Sequence, residues 1–109
     1  MDVKVTKSLL DLCVLSVLNK GDSYGWQIIK DISTVMQVNE STLYAVTGRL
    51  EREKFLTTYS EEHNGRIRRY FKITLHGEAR LQEFEDNYAE LDKIHKFILN
   101  SLLEVKIYE

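Results

Sequence analysis

The chain contains no proline, one cysteine and only five glycines among its 109 residues. Without proline nothing obliges a helix to stop, so long helices are favoured. The lone Cys13 excludes an internal disulfide and any thiolate cluster for zinc or iron–sulfur. It lies in the most apolar stretch, where an inert, buried thiol is expected. No run approaches the roughly 18 consecutive apolar residues of a membrane-spanning helix. The opening Met1-Asp2-Val3-Lys4 lacks the basic-then-apolar pattern of a secretory signal, so a cytoplasmic protein is expected. There is no glycine-rich phosphate loop, and His63, His76 and His95 lack metal-ligand spacing with one another. Glu61-Glu62 reads as a solvated pair. The expectation is a protein that is not an enzyme and carries no cofactor or metal.

What is present is the mixture of a folded domain: 43% hydrophobic and 29% charged residues. A chain of this size buries only part of its apolar surface alone, which favours a homodimer. The net charge of −2 hides an asymmetry. Residues 1–48 carry four Lys/Arg against five Asp/Glu, 49–76 carry seven against four, and 77–109 carry four against eight. A basic middle and an acidic tail suggest that one face meets a polyanion while the other does something else.

Thr6 or Ser8 is a candidate cap for a first helix running from Leu9 to Leu18, apolar almost all round and therefore central. Gly21-Asp22-Ser23 ends it. A second helix is expected over about Tyr24 to Thr34. Asn39 then caps a third, about Glu40 to Glu53, burying Leu43, Val46 and Leu50. The period changes at Phe55 to Glu62, and after the turn His63-Asn64-Gly65 a second extended run covers Arg66 to Thr74. Asn-Gly between two such runs is a hairpin signal. Within the second run Ile67, Arg69, Phe71 and Ile73 share one face, and Arg66, Arg68, Tyr70 and Lys72 the other. From Leu75-His76-Gly77 a single helix reaches Ser101 or beyond. Its Leu81, Phe84, Tyr88, Leu91, His95, Ile98 and Leu102 are spaced 3, 4, 3, 4, 3 and 4, a heptad seam that Ile94 and Phe97 widen. The seam is expected to pack on the first helix and on a second copy of the chain, which makes these seven the candidate dimer interface.

Three helices followed by a basic hairpin is the order of a winged helix-turn-helix, whose second motif helix offers its N-terminal side chains to the major groove. Glu40, Ser41, Thr42 and Tyr44 are those side chains here; ordinary first-turn capping also accounts for Ser41 and Thr42. Arg49 follows as a further candidate, whereas Arg52 and Lys54 alternate with Glu51 and Glu53 as a solvated face. The wing adds His63, Asn64, Arg66, Arg68 and Arg69, cations within reach of phosphate or the minor groove. A charged edge strand can also serve only against aggregation.

Leu15 to Ile32, then Asn39-Glu40-Ser41-Thr42-Leu43-Tyr44 leading to Arg49-Leu50-Glu51, then Arg68 to Thr74 and Gly77, resemble the PadR-type transcriptional regulators over nearly the whole chain. The short C-terminal segment with one long helix is similar to that family's compact, multidrug-sensing subgroup. The resemblance implies a homodimeric winged-helix repressor of a double-stranded, pseudo-palindromic DNA operator. It also implies a flat aromatic or cationic ligand at the dimer interface, near Leu12, Ser16, Tyr88 and Asp92. The chain departs from the family pattern at Ala45, where proline is usual, at Gly48, and at Lys54, where glycine is common.

The fold class expected is mainly α (α+β): a winged helix-turn-helix with a two-stranded wing over residues 1–76, and a long C-terminal dimerisation helix over 77–109. A helical protein–protein interaction module without specific DNA binding is the alternative.

Overall fold

The computed structural model describes residues 3–108 of the chain, with side chains from 9 to 105. Its elements in order are α1 (Val3–Lys20), β1 (Ser23–Tyr24), α2 (Gly25–Ile32), α3 (Glu40–Arg52), β2 (Leu56–His63), β3 (Arg66–Ile73) and α4 (Leu75–Tyr108). This is a winged helix-turn-helix with a long C-terminal helix. The core gathers Leu10, Val14, Leu15 and Leu18 of α1, Ile28 and Ile32 of α2, and Leu43, Val46 and Leu50 of α3. Leu56 and Phe71 close it from the sheet side. Fully buried side chains such as Leu15, Ile28 and Leu43 each contribute on the order of 2 kcal/mol by leaving water.

Helix α1 is central, as its all-round apolar sequence requires, but it begins at Val3 and passes through Thr6 and Ser8. Neither residue is therefore its N-cap. Helix α2 is shorter than the sequence suggests because Tyr24 is extended rather than helical. Ser23 and Tyr24 pair with Phe71 and Tyr70, so the wing hairpin becomes a three-stranded antiparallel sheet of order β1-β3-β2. The hairpin itself turns on Asn64 and Gly65, both with positive φ (52° and 78°), in register with His63 opposite Arg66. Positive φ at both central residues is the twist-matched two-residue turn that Asn-Gly favours.

Both ends of α3 are fixed locally. Asn39 Oδ1 accepts from the Thr42 amide at 2.8 Å and from the Ser41 hydroxyl at 2.9 Å. At the other end Phe55 N–H donates to Leu50 C=O and Lys54 N–H to Glu51 C=O, the paired bonds that close a helix on a left-handed residue. That residue is Lys54, at φ 67°. A side chain there costs about 1 kcal/mol, which glycine would avoid. Phe55 belongs to this closure rather than to the strand.

Thr74 then joins the domain to α4. Its hydroxyl donates to Lys54 C=O at 2.7 Å and accepts from the Gly77 amide at 3.1 Å, capping the new helix. Gly77 is buried so tightly that a Cβ would collide with the Phe55 carbonyl oxygen and lie 2.7 Å from Ile73 Cγ1. With 34 residues α4 is about 51 Å long at 1.5 Å per residue, running past Ser101 to Tyr108, in a molecule 69 × 26 × 23 Å. Leu81 still packs against the core. Beyond it Phe84, Tyr88, Leu91, Ile94, Ile98 and Leu102 are 40–59% exposed, one continuous apolar stripe.

Two substitutions test these joints by urea unfolding. Lys54→Gly is expected to raise stability by about 1 kcal/mol, the left-handed penalty being removed. Gly77→Ala is expected to lower it by about 2 kcal/mol, because the obstructing atom is backbone and cannot rotate away.

Candidate nucleic-acid interface

A groove of about 660 Å³ opens between the N-terminal ends of α2 and α3 on one side and the wing on the other. Glu40 and Tyr44 line it from α3, and His63, Asn64, Arg66, Arg68 and Arg69 from the wing. Seven of the ten residues singled out for nucleic acid in the sequence thus converge on one concavity. Tyr44 reaches it because α2 starts with Gly25: a methyl there would sit 2.5 Å from the Tyr44 hydroxyl oxygen. Tyr24, Trp26 and Ile67 complete the walls. The sequence reading missed Tyr24 and Trp26. Tyr24 is half-buried in β1 and Trp26 exposed on the first turn of α2, and neither placement is readable from composition.

The remaining three residues lie elsewhere. Ser41, Thr42 and Arg49 line a separate, smaller depression of about 320 Å³ with Leu10 and Ala45. Ser41 and Thr42 both engage Asn39, so first-turn capping is their structural role. Arg49 donates to Asp11, which is 4% exposed, and also contacts Glu53. The hydrogen bond from Arg49 to Asp11 raises the guanidinium pKa further above its already high value. Arg80 approaches the other Asp11 oxygen at 3.6 Å. One buried carboxylate therefore ties α1, α3 and α4 together. Gly48 has no such constraint, since a Cβ there would meet only the Arg52 guanidinium, at 3.5 Å.

The wing is braced on both faces. On one, the Tyr59 and Tyr70 rings stack at 5.5 Å, Tyr24 meets Tyr70 edge-on at 5.8 Å, and the Arg68 guanidinium lies 4.1 Å from the Tyr24 ring centre. This holds Arg68 beside the groove instead of leaving it to sweep freely. Tyr59 hydroxyl donates to Asp22 at 2.7 Å, and that bond pushes the phenol pKa up to about 12. On the other face Glu51 of α3 accepts from Thr58 at 2.7 Å and pairs with Arg69 at 3.3 Å. The wing's angle to α3 is thus set by a carboxylate on α3 itself. Ile67 shares the side of Phe71 and Ile73, but the hairpin outruns the core there, leaving it 81% exposed.

Residues singled out for a small ligand do not meet within one chain. Leu12 lines a hollow of about 460 Å³ with Phe55, His76, Arg80 and Phe84, among others. Ser16 lines a different one with Cys13 and Val35. Cys13 is only half-buried, and that burial pushes its thiol pKa up, away from a reactive thiolate. Tyr88 stands on the exposed stripe, its ring 6.2 Å from Phe84, and Asp92 pairs with Lys96 at 2.9 Å. His95 is exposed on the same helix. Among the described residues no group of three or more His, Cys, Asp or Glu is arranged to hold a metal, and no helix is long and apolar enough to cross a membrane.

Comparison with known proteins gives a consistent result. The model of the transcriptional regulator PadR-like family matches residues 14–83. A PadR-like transcription factor from Bacteroides fragilis is 31% identical, with a TM-score of 0.78 over 87% of this chain and 94% of that one. Uncharacterized protein X of Lysinibacillus sphaericus is 32% identical over 103 residues, covering 90% of this chain and 94% of its own. PadR of Bacillus subtilis, solved in complex with operator DNA, shares the fold with a TM-score of 0.65 at 20% identity, over 70% of this chain and 46% of that one.

Two measurements check this geometry. Phenolate absorbance is expected to show one tyrosine that stays protonated until about pH 12, and Asp22→Asn should return it toward the ordinary value near 10. Since the folded pKa is the raised one, this contact stabilises fully below about pH 10 and its contribution is lost as pH climbs through about 12. Asp11→Ala should cost about 2 kcal/mol in urea unfolding by removing the shared acceptor of Arg49 and Arg80.

Proposed function

The chain belongs to the PadR-like family of transcriptional regulators, and we propose that it is a homodimeric winged-helix repressor of a pseudo-palindromic DNA operator. Residues 1–76 form the DNA-binding domain in this reading, and 77–109 the dimerisation helix. The observation that carries it is the convergence of the α3 N-terminus and a cationic wing on one groove. Helix α3 enters the major groove, with Glu40 and Tyr44 in front, flanked by Ser41 and Thr42. His63, Asn64, Arg66, Arg68 and Arg69 follow the adjacent backbone. Arg49 contributes by holding α3 in place through Asp11. That Bacillus subtilis PadR, with the same fold, binds operator DNA supports the assignment.

The dimer rests on α4. An apolar stripe from Phe84 to Leu102, about half exposed along its length, is larger than a lone soluble chain tolerates, and its heptad spacing suits a second copy. Leu81, Phe84, Tyr88, Leu91, His95, Ile98 and Leu102 form that seam. Two-fold symmetry then sets half-sites about one helical turn apart, or a multiple of it. A flat aromatic or cationic molecule between the long helices, against Tyr88 and Asp92 of one copy and Leu12 and Ser16 of either, relieves repression if it favours a spacing that DNA does not accept. The protein acts in the cytoplasm.

Charge reversal tests the DNA reading. Arg66→Glu with Arg68→Glu should weaken binding to any duplex and flatten the slope of log K against log salt by about 0.9 for each phosphate the wing no longer neutralises. An unchanged slope would remove the wing from the interface and favour a protein-interaction module. Leu91→Asp should convert a dimer to monomer in sedimentation equilibrium; if the native chain sediments as a monomer, the seam has another role. If Tyr88→Ala alters neither dimer nor DNA affinity and no aromatic compound shifts either, ligand sensing is discarded.

A further inference from the structure

The groove contains two large apolar side chains that the fold does not use. Trp26, on the first turn of α2, is 62% exposed, and Ile67, on the wing, is 81% exposed. Both line the same concavity, one from the α2 side and one from the wing. Neither belongs to the hydrophobic core or packs against it. Exposed apolar surface of this kind inside an otherwise cationic groove marks a binding site. Cations accompany them: Arg66, Arg68 and Arg69 of the wing line the same groove, and Lys30, which lines a different hollow, holds its Nζ 5.1 Å from the Trp26 ring centre.

A groove that offers both cations and hydrocarbon matches one molecular strip, the sugar–phosphate strand of DNA, in which charged phosphates alternate with apolar deoxyribose faces. We infer that this groove holds one strand of the duplex, with Trp26 and Ile67 packed on deoxyribose from opposite walls while Arg66 and Arg68 meet its phosphates. This rests on the DNA-binding reading above and adds its non-ionic part. Phosphate contacts position a protein through charge and are weakened by salt. Packing on sugar is indifferent to both base sequence and salt. The contribution of Trp26 is therefore an affinity that ionic strength does not remove.

Trp26 is the chain's only tryptophan, so its emission reports this contact directly. The probe is a scrambled duplex at low salt, beside a duplex carrying the DNA immediately upstream of the protein's own gene. Saturating either duplex should quench or shift the emission. Trp26→Ala and Ile67→Ala should each weaken both duplexes by about tenfold, a hot-spot-sized effect, with the salt slope unchanged. Trp26→Phe should recover part of the affinity. Binding that leaves the emission and both alanine variants unchanged overturns the inference while sparing the DNA reading. A flattened salt slope in Trp26→Ala also overturns it, since Trp26 would then act only by placing Lys30. If the native protein binds neither duplex, the DNA reading itself fails.

Discussion

A carboxylate buried in a protein must be answered by cations, and where those cations come from decides which elements are locked together. Asp11, on the central helix, is answered by Arg49 of α3 and Arg80 of α4. Hydrophobic packing alone would let α3 and α4 slide on α1, because apolar contacts are not directional. The ion pairs are directional, and they fix the helix that would read DNA relative to the helix that would bind the second subunit. Asp11 thus joins α4 to α3 in addition to the Thr74 bridge between Lys54 and Gly77.

The same logic repeats on a smaller scale at the wing. Glu51 leaves α3 to accept from Thr58 and Arg69, and the Tyr24–Tyr70–Tyr59 stack braces the opposite face. A two-stranded hairpin is barely stable by itself in water. Here it is held against both helices of the motif, so Arg66 and Arg68 are presented at a defined distance from the α3 N-terminus. Preorganised cations bind a polyanion without first losing their own freedom, which is why this bracing matters to the groove.

Local chemistry was legible in the sequence, and long-range chemistry was not. Asn39 announces the start of α3 and Asn64-Gly65 the hairpin, because each acts on its immediate neighbours. The heptad of α4 was readable for the same reason, and the helix starts at Leu75, where Thr74 caps it, and runs past Ser101 to Tyr108. Strand β1 escaped notice since two residues carry no periodicity; Ser23 and Tyr24 are extended only because β3 comes to meet them. Arg49 looked like a DNA contact on helical spacing, and its partner Asp11 stands 38 residues away. Lys54 departs from the family's glycine yet keeps the left-handed backbone that glycine would supply, at the cost of some strain. Trp26 could not be assigned from sequence because an aromatic residue on an amphipathic helix reads as core.

The central claim is that two copies of this chain recognise a two-fold DNA site through the groove beside α3. Fluorescence anisotropy of a labelled duplex from directly upstream of the protein's own gene, titrated at several salt concentrations against a scrambled duplex, tests it most directly. The account predicts tight binding over the scrambled control, with affinity falling steeply as salt rises. Equally weak binding to both duplexes, with little dependence on salt, would contradict it.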